Sequence, residues 1–216
     1  MRNLIRTIVL LFCLCLCGCE TNGSTRDKGS STKDGIAYIH PNSKFSFPKQ
    51  IGKFQFIGTH EFDPSGKDIS VGYNSPTPVA VTVYVYPAAK NVSQLPAPRL
   101  QNVSDALLDH EFQLHKLAIS KSHPDARLIS EGPCEIVQGK NHFQGKKAVY
   151  SLAYRFGVSN QNCLSELYLF LIEPGVMFLV NDRQYLEYRI TYPAAVQSRA
   201  TNEIGSFLSS LTWPVK

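Results

Sequence analysis

The sequence predicts an α+β fold: an antiparallel, mostly meandering sheet packed by a central helix and a C-terminal helix. Three observations carry this. Segments rich in Val, Tyr, Phe and Thr, several alternating apolar with polar, fill both halves of the chain. Residues 104–122 instead place apolar side chains at helical spacing. The closing stretch "SRATNEIGSFLSSLTWP" has a second helical stripe, and Trp213-Pro214 stops it. Runs of strands separated by one helix and closed by another give α+β, not alternating βαβ units.

Phe45 and Phe47 alternate with polar residues up to Pro48, and Phe54 and Phe56 do the same. "PSGKD" marks a turn, "ISVGYN" resumes an extended run, and "SPTP" breaks it. "VAVTVYVYP" is the strongest strand signal in the chain. After a Pro/Ala-containing connector, Asn102 or Ser104 can cap the central helix. On it Val103, Ala106, Leu107, Leu114, Leu117 and Ala118 form one stripe, which should face the sheet. Leu108, Phe112 and Ile119 form a second stripe, about a third of a turn round. Residues 87–98 or 45–51 are expected to cover that second stripe; left bare, it would be a partner-binding patch. "RLISEGPCEIV", "KKAVYSLAYRF" and "LSELYLFLI" are three further strands, with turns in "QGKNHFQG" and "GVSNQN". "GVMFLVN" and "YLEYRITYP" extend the sheet. Ile204, Phe207, Leu208 and Leu211 make the buried side of the last helix.

The first nineteen residues read differently. Arg2 and Arg6 precede an unbroken apolar run over residues 8–17. Ten residues are too few to cross a bilayer as a helix, which takes about 20. A basic start, a short apolar core and small residues after it make a secretory signal. The run ends in Leu16-Cys17-Gly18-Cys19, which resembles a bacterial lipobox. The resemblance implies lipid on the Cys19 sulfur, cleavage before Cys19 and acylation of the new amino terminus. Cys13, Cys15 and Cys17 would then be discarded with the signal. One acyl chain binds a membrane marginally and two or more bind it stably. Glu20, which is not the Asp of inner-membrane retention, favours the outer membrane facing the periplasm if the cell has two membranes.

Residues 20–35 contain no aliphatic or aromatic side chain. Such a segment cannot bury enough surface to order itself. It should act as a tether of roughly 20–24 Å. The chain therefore divides into a signal over 1–18, a lipidated cysteine and tether over 19–35, and a single domain over 36–216. Losing Arg2 and Arg6 takes Lys plus Arg from 22 to 20 against 17 Asp plus Glu, a net charge of +3. The basic residues form no stripe, so nucleic acid is not an expected partner.

The element order over residues 36–216 is meander, helix, meander, then a terminal helix ending in "SLTW". It resembles the PsbP-like fold, named for an extrinsic protein of photosystem II. The resemblance rests on order and that terminal signature, and it brings no site residues with it.

Candidate chemistry is sparse. "HEFQLH" sets His110 and His115 five apart, about 140° round a helix, where zincins need four. His110 falls on the main apolar stripe and reads as a core histidine. The other histidines are scattered, so neither a metal nor any other cofactor is expected. No G-x-S-x-G elbow or phosphate loop occurs. Glu131, Glu135, Glu166 and Glu173 lie on or near strands and read as solvated. Lys140, Lys146 and Lys147 sit around one expected hairpin tip with His142 and Phe143, a candidate contact for anionic headgroups or an envelope polymer. An envelope location permits a disulfide between Cys134 and Cys163. The expected register opposes it, setting the two roughly 26 Å apart along a strand.

The sequence thus points to a non-enzymatic envelope lipoprotein that reaches the membrane through Cys19 and binds a protein partner. A carrier or sensor of an apolar ligand is the alternative, since twelve Phe and ten Tyr could line a cavity beneath the central helix. A cryptic hydrolase comes third. Cys19→Ser should abolish acylation and leave an unprocessed precursor. Globomycin-insensitive processing of the wild-type chain, or unchanged membrane fractionation of the variant, would contradict the lipobox.

Overall fold

The computed structural model describes residues 35–88, 103–156, 159–172 and 183–213. A small β1–β2 pair, Ile36–Ile39 with Ser46–Pro48, opens the fold. Strands β3 (Gln50–Ile51), β4 (Phe54–Glu61), β5 (Ile69–Asn74) and β6 (Ala80–Pro87) follow as a meander. Helix α1 spans Val103–Ser122. A second meander contains β7 (Arg127–Gln138), β8 (Asn141–Phe156), β9 (Ser159–Ile172) and β10 (Gln184–Pro193). A 3-10 turn at Ala194–Val196 leads into α2, Gln197–Ser210.

The two meanders form one antiparallel sheet of eight strands, ordered β3-β4-β5-β6-β10-β9-β8-β7. The last strand, β10, closes it by pairing with β6, so that Tyr188 lies opposite Val83 and Tyr168. Alternation then decides what each face meets. Leu186, Tyr188 and Ile190 face α2, while Tyr185, Glu187 and Arg189 face α1.

The sheet curls. Phe54, near one edge, meets Phe207 of α2 with ring centroids 4.8 Å apart. Gln138, on the opposite edge strand, donates from Nε2 to the Leu208 and Leu211 carbonyls of the same helix, at 3.3 and 2.5 Å. Both ends of the sheet reach α2, so it lies in a concave face and α1 on the convex one. Ile204, Phe207, Leu208, Leu211 and Trp213 fill the concavity, all nearly solvent-free. This is the buried side expected of the terminal helix.

Helix α1 matches its expected bounds, but it is rotated. Leu107 and Ala118 are buried as expected, whereas Leu114 and Leu117 are 41% and 57% exposed. Leu108, Phe112 and Ile119 are instead at 9%, 3% and 3%, packed against Ala148, Tyr150, Leu167, Leu169 and Tyr185. The second stripe is thus covered, and the sheet itself covers it. Residues 45–51 lie on the opposite face, and residues 89–98 fall outside the described residues. A convex sheet offers α1 one broad surface. The helix turns its Phe and Ile towards that surface and leaves two leucines outside.

Strand lengths also differ from the expected ones. The β7–β8 turn is only Gly139-Lys140, because Gln138 pairs with Asn141. Gly139 has φ 63°, and a two-residue hairpin turn with Gly first takes that conformation readily. "NHFQG" is therefore strand, not turn, and so are residues 159–162 of "GVSNQN". "GVMFLVN" lies outside the described residues. Phe112→Ala should cost about 3–5 kcal/mol, as truncation of a large core side chain does. Chemical denaturation checks this, and a loss below about 1 kcal/mol would contradict the packing of α1.

Candidate functional site

The densest buried chemistry lies under α1. Glu111 and His115 share one helix face at i and i+4. Glu187 and Arg189 stand two apart on β10 and so share a sheet face. Tyr86 reaches the same point from β6. His115 Nε2 is 2.7 Å from Tyr86 Oη, 3.2 Å from Glu111 Oε1 and 3.3 Å from Glu187 Oε2. Arg189 Nε donates to Glu187 Oε1, and Arg189 Nη2 donates to His115 Nδ1 at 3.0 Å.

The protonation pattern follows from donor chemistry. A guanidinium only donates, so His115 Nδ1 accepts. The ring is then neutral and carries its hydrogen on Nε2, towards the three oxygens. Tyr86 Oη can accept from it and donate to Glu187 Oε2 at 3.4 Å. Burial pushes the Glu187 carboxyl up, but the Arg189 guanidinium beside it and the hydrogen bonds from Arg189 and Tyr86 hold it below the usual range. Burial, Glu111 and Glu187 push the Tyr86 phenol well above its ordinary value. The side chain of Glu187 is fully buried, and those of His115, Arg189 and Glu111 are 9%, 14% and 18% exposed. A substrate has little access. Among the described residues no group of three or more His, Cys, Asp or Glu is placed to hold a metal ion. The arrangement pairs the fully buried Glu187 with Arg189 from within and locks α1 onto the sheet through His115.

A second cluster occupies the concave face. Glu166 accepts from Tyr168 Oη at 2.6 Å and Tyr192 Oη at 2.5 Å, and pairs with Lys147 at 2.7 Å. Burial raises this carboxyl, and its three donors hold it below the usual range. Lys147 also lies 4.7 Å from the centre of the Tyr168 ring.

The residues singled out from sequence are dispersed. Leu108, Phe112 and Ile119 are in the core and present no surface to a partner. Lys140 is exposed at the hairpin tip. Lys146 pairs with Asp109 of α1 on the convex face, and Lys147 with Glu166 on the concave one. The three lysines therefore form no cluster, because consecutive residues of a long strand point to opposite faces. His142 pairs with Glu135 at 3.1 Å, and Phe143 packs on Trp213 at 4.1 Å. Glu131 pairs with Lys116. Glu166 is buried, not solvated, and Glu173 lies outside the described residues, as does Cys19. His115, not His110, is the buried histidine of α1.

Cys134 and Cys163 are free thiols. Cys134 lies opposite Gly145, and Gly145 lies opposite Phe170. Cys163 is seven residues from Phe170, about 23 Å along β9. It also points to the other face. Burial pushes the Cys134 thiol up to about 12, with Lys147 opposing, and raises Cys163 as well. Neither is an activated nucleophile.

No sequence motif announces the Tyr86–His115–Glu187–Arg189 cluster. The only signal was the i, i+4 pair Glu111 and His115, and its partners come from strands 29 and 72 residues away. Glu187→Gln should destabilise the domain by about 3–5 kcal/mol, the usual cost of removing one partner of a buried pair. Urea denaturation reads this, and a change within about 0.5 kcal/mol would show the cluster to be dispensable. No protein-family model matches the chain, and no curated protein matches it.

Proposed function

We propose that the chain is a membrane-anchored lipoprotein of the bacterial envelope whose PsbP-like domain acts as a non-enzymatic protein-binding or assembly module. One observation carries the non-enzymatic part. Among the described residues the three buried carboxylates are held in internal bonds: Glu187 to Arg189, Glu166 to Lys147 and two tyrosines, and Glu203 to Lys53 at 3.0 Å. A reaction centre needs groups of perturbed acidity open to a substrate. These are closed. The lipobox resemblance supports the anchor, and Glu20 favours the outer membrane. The order of meander, helix, meander and terminal helix supports the PsbP-like assignment.

An apolar-ligand carrier would need a cavity between α1 and the sheet. Leu107, Phe112, Ile119, Ala148, Leu167 and Leu169 occupy that space and are at most 3% exposed. Binding is better sought on the outer face of α1, where Leu114 and Leu117 stand exposed. Single exposed apolar residues are ordinary, so the pair supports the reading without carrying it.

Proximity labelling by the full chain in its native envelope tests this. The wild-type chain should label a defined set of envelope proteins. Cys19→Ser should lose that set. Leu114→Lys with Leu117→Lys should lose at least one member while leaving the melting temperature unchanged. Identical labelling by all three chains would overturn the proposal.

A further inference from the structure

The β1–β2 turn is fastened to the main sheet through a buried imidazole. His40 is 0% exposed. Its Nε2 lies 3.3 Å from the Lys67 carbonyl, in the loop between β4 and β5. The Ser43 backbone N–H donates to Nδ1 at 3.1 Å, and Ser43 Oγ lies 2.6 Å from the same nitrogen. A carbonyl only accepts and a backbone N–H only donates. The ring is therefore neutral, with its hydrogen on Nε2 and a lone pair on Nδ1. The surrounding backbone is tight: Lys44 has φ 60°, its N–H bonds the His40 carbonyl at 3.0 Å, and His40 N–H bonds Phe45 O at 2.8 Å. Pro41 lies against Gly66 of the same loop.

What the turn holds is unevenly secured. On and beside β2, Phe45 and Phe47 are at 0% exposure and belong to the main core. Strand β1 pairs only with β2 among the described residues, none of its four residues is buried, and Ile39 is 43% exposed. We propose that His40 is a proton-operated clasp: a proton taken from solvent by Nδ1 displaces the Ser43 N–H and frees β1 from β2, while Phe45 and Phe47 stay in place.

The charges around the ring set the direction. Lys44, on the turn itself, opposes a cation. Asp63 of the β4–β5 loop favours one, but its carboxylate already accepts from the Ser65 and Asp68 N–H groups at 2.8 and 2.7 Å. Glu61 and Tyr38 border the same loop. Burial dominates and holds the imidazole below its ordinary value, against the Lys67 and Gly66 carbonyls and Asp63. A histidine depressed in the folded state adds stability above its ordinary value near pH 6.5, and that stability is lost as pH falls through the folded value. Acidification therefore opens the clasp. Opening moves the point where the N-terminal segment joins the fold from Gly35 to Lys44. This consequence rests on the anchored reading above, and the clasp itself does not.

Amide hydrogen exchange on the full chain at about pH 7.5 and about pH 5 tests it, after correction for intrinsic rates. Protection of the β1 amides should fall about tenfold or more at the lower pH, while β6 and β10 keep theirs. His40→Asn keeps an acceptor near Nδ1 and cannot titrate, so its β1 protection should be the same at both pH values. Equal β1 protection in the wild-type chain, or the same acid loss in His40→Asn, would overturn the clasp. A further readout needs no variant: imidazole nitrogen shifts should report an unprotonated Nδ1 at neutral pH, and a hydrogen found on Nδ1 there would overturn it too. None of these outcomes depends on Cys19.

Discussion

Trp213 and Tyr188 meet inside the curled sheet, and the indole Nε1–H donates to the phenol oxygen at 2.8 Å. Buried Trp and Tyr both need a partner for their polar ends, and here each serves the other. Gln138 completes the lock from the far edge of the sheet. Its Oε1 accepts the Trp213 N–H at 2.9 Å, and its Nε2 serves two carbonyls at the end of α2. Helix ends leave such carbonyls without partners, so one amide both caps the helix and fixes the curl. The fit depends on glycine as well. A Cβ on Gly145 would lie 2.3 Å from Phe170, whose ring is 4.9 Å from Trp213. The sheet can close over the indole only where that strand has no side chain.

The convex face obeys a different constraint. It has no aromatic plug, and α1 is held by an apolar row with an ionic cluster at its middle. Buried charges are costly unless paired and hydrogen-bonded. Three carboxylates meet that demand with different chemistry: Arg189 and Tyr86 for Glu187, Lys147 and two phenols for Glu166, Lys53 with the Thr77 and Ser75 hydroxyls for Glu203. The last of these ties α2 to the β5–β6 turn. Both helices are thus fastened by polar bonds across long sequence separations, which fixes their positions more sharply than apolar contact would. Strand β1 carries no charged side chain, and its Tyr38 ring packs on Phe47 of β2 with centroids 6.1 Å apart.

Local patterning was legible without the fold. The Val- and Tyr-rich run of β6, the helical spacing of 104–122 and the Ile204–Phe207–Leu208–Leu211 stripe need only the periods of strand and helix. Tertiary structure decided which side of α1 faces inward. Leu114 and Phe112 lie on either side of an apolar arc wider than the contact surface, and only the shape of the convex sheet selects between them. It also decided the hairpin register: Lys146 and Lys147 share a neighbourhood in sequence yet part to opposite faces because β8 runs on from the tip at Lys140. The buried cluster was beyond sequence altogether. Glu111 and His115 are near neighbours on a helix, but Tyr86, Glu187 and Arg189 join them only because β10 crosses back to pair with β6, and that pairing is a property of the whole sheet.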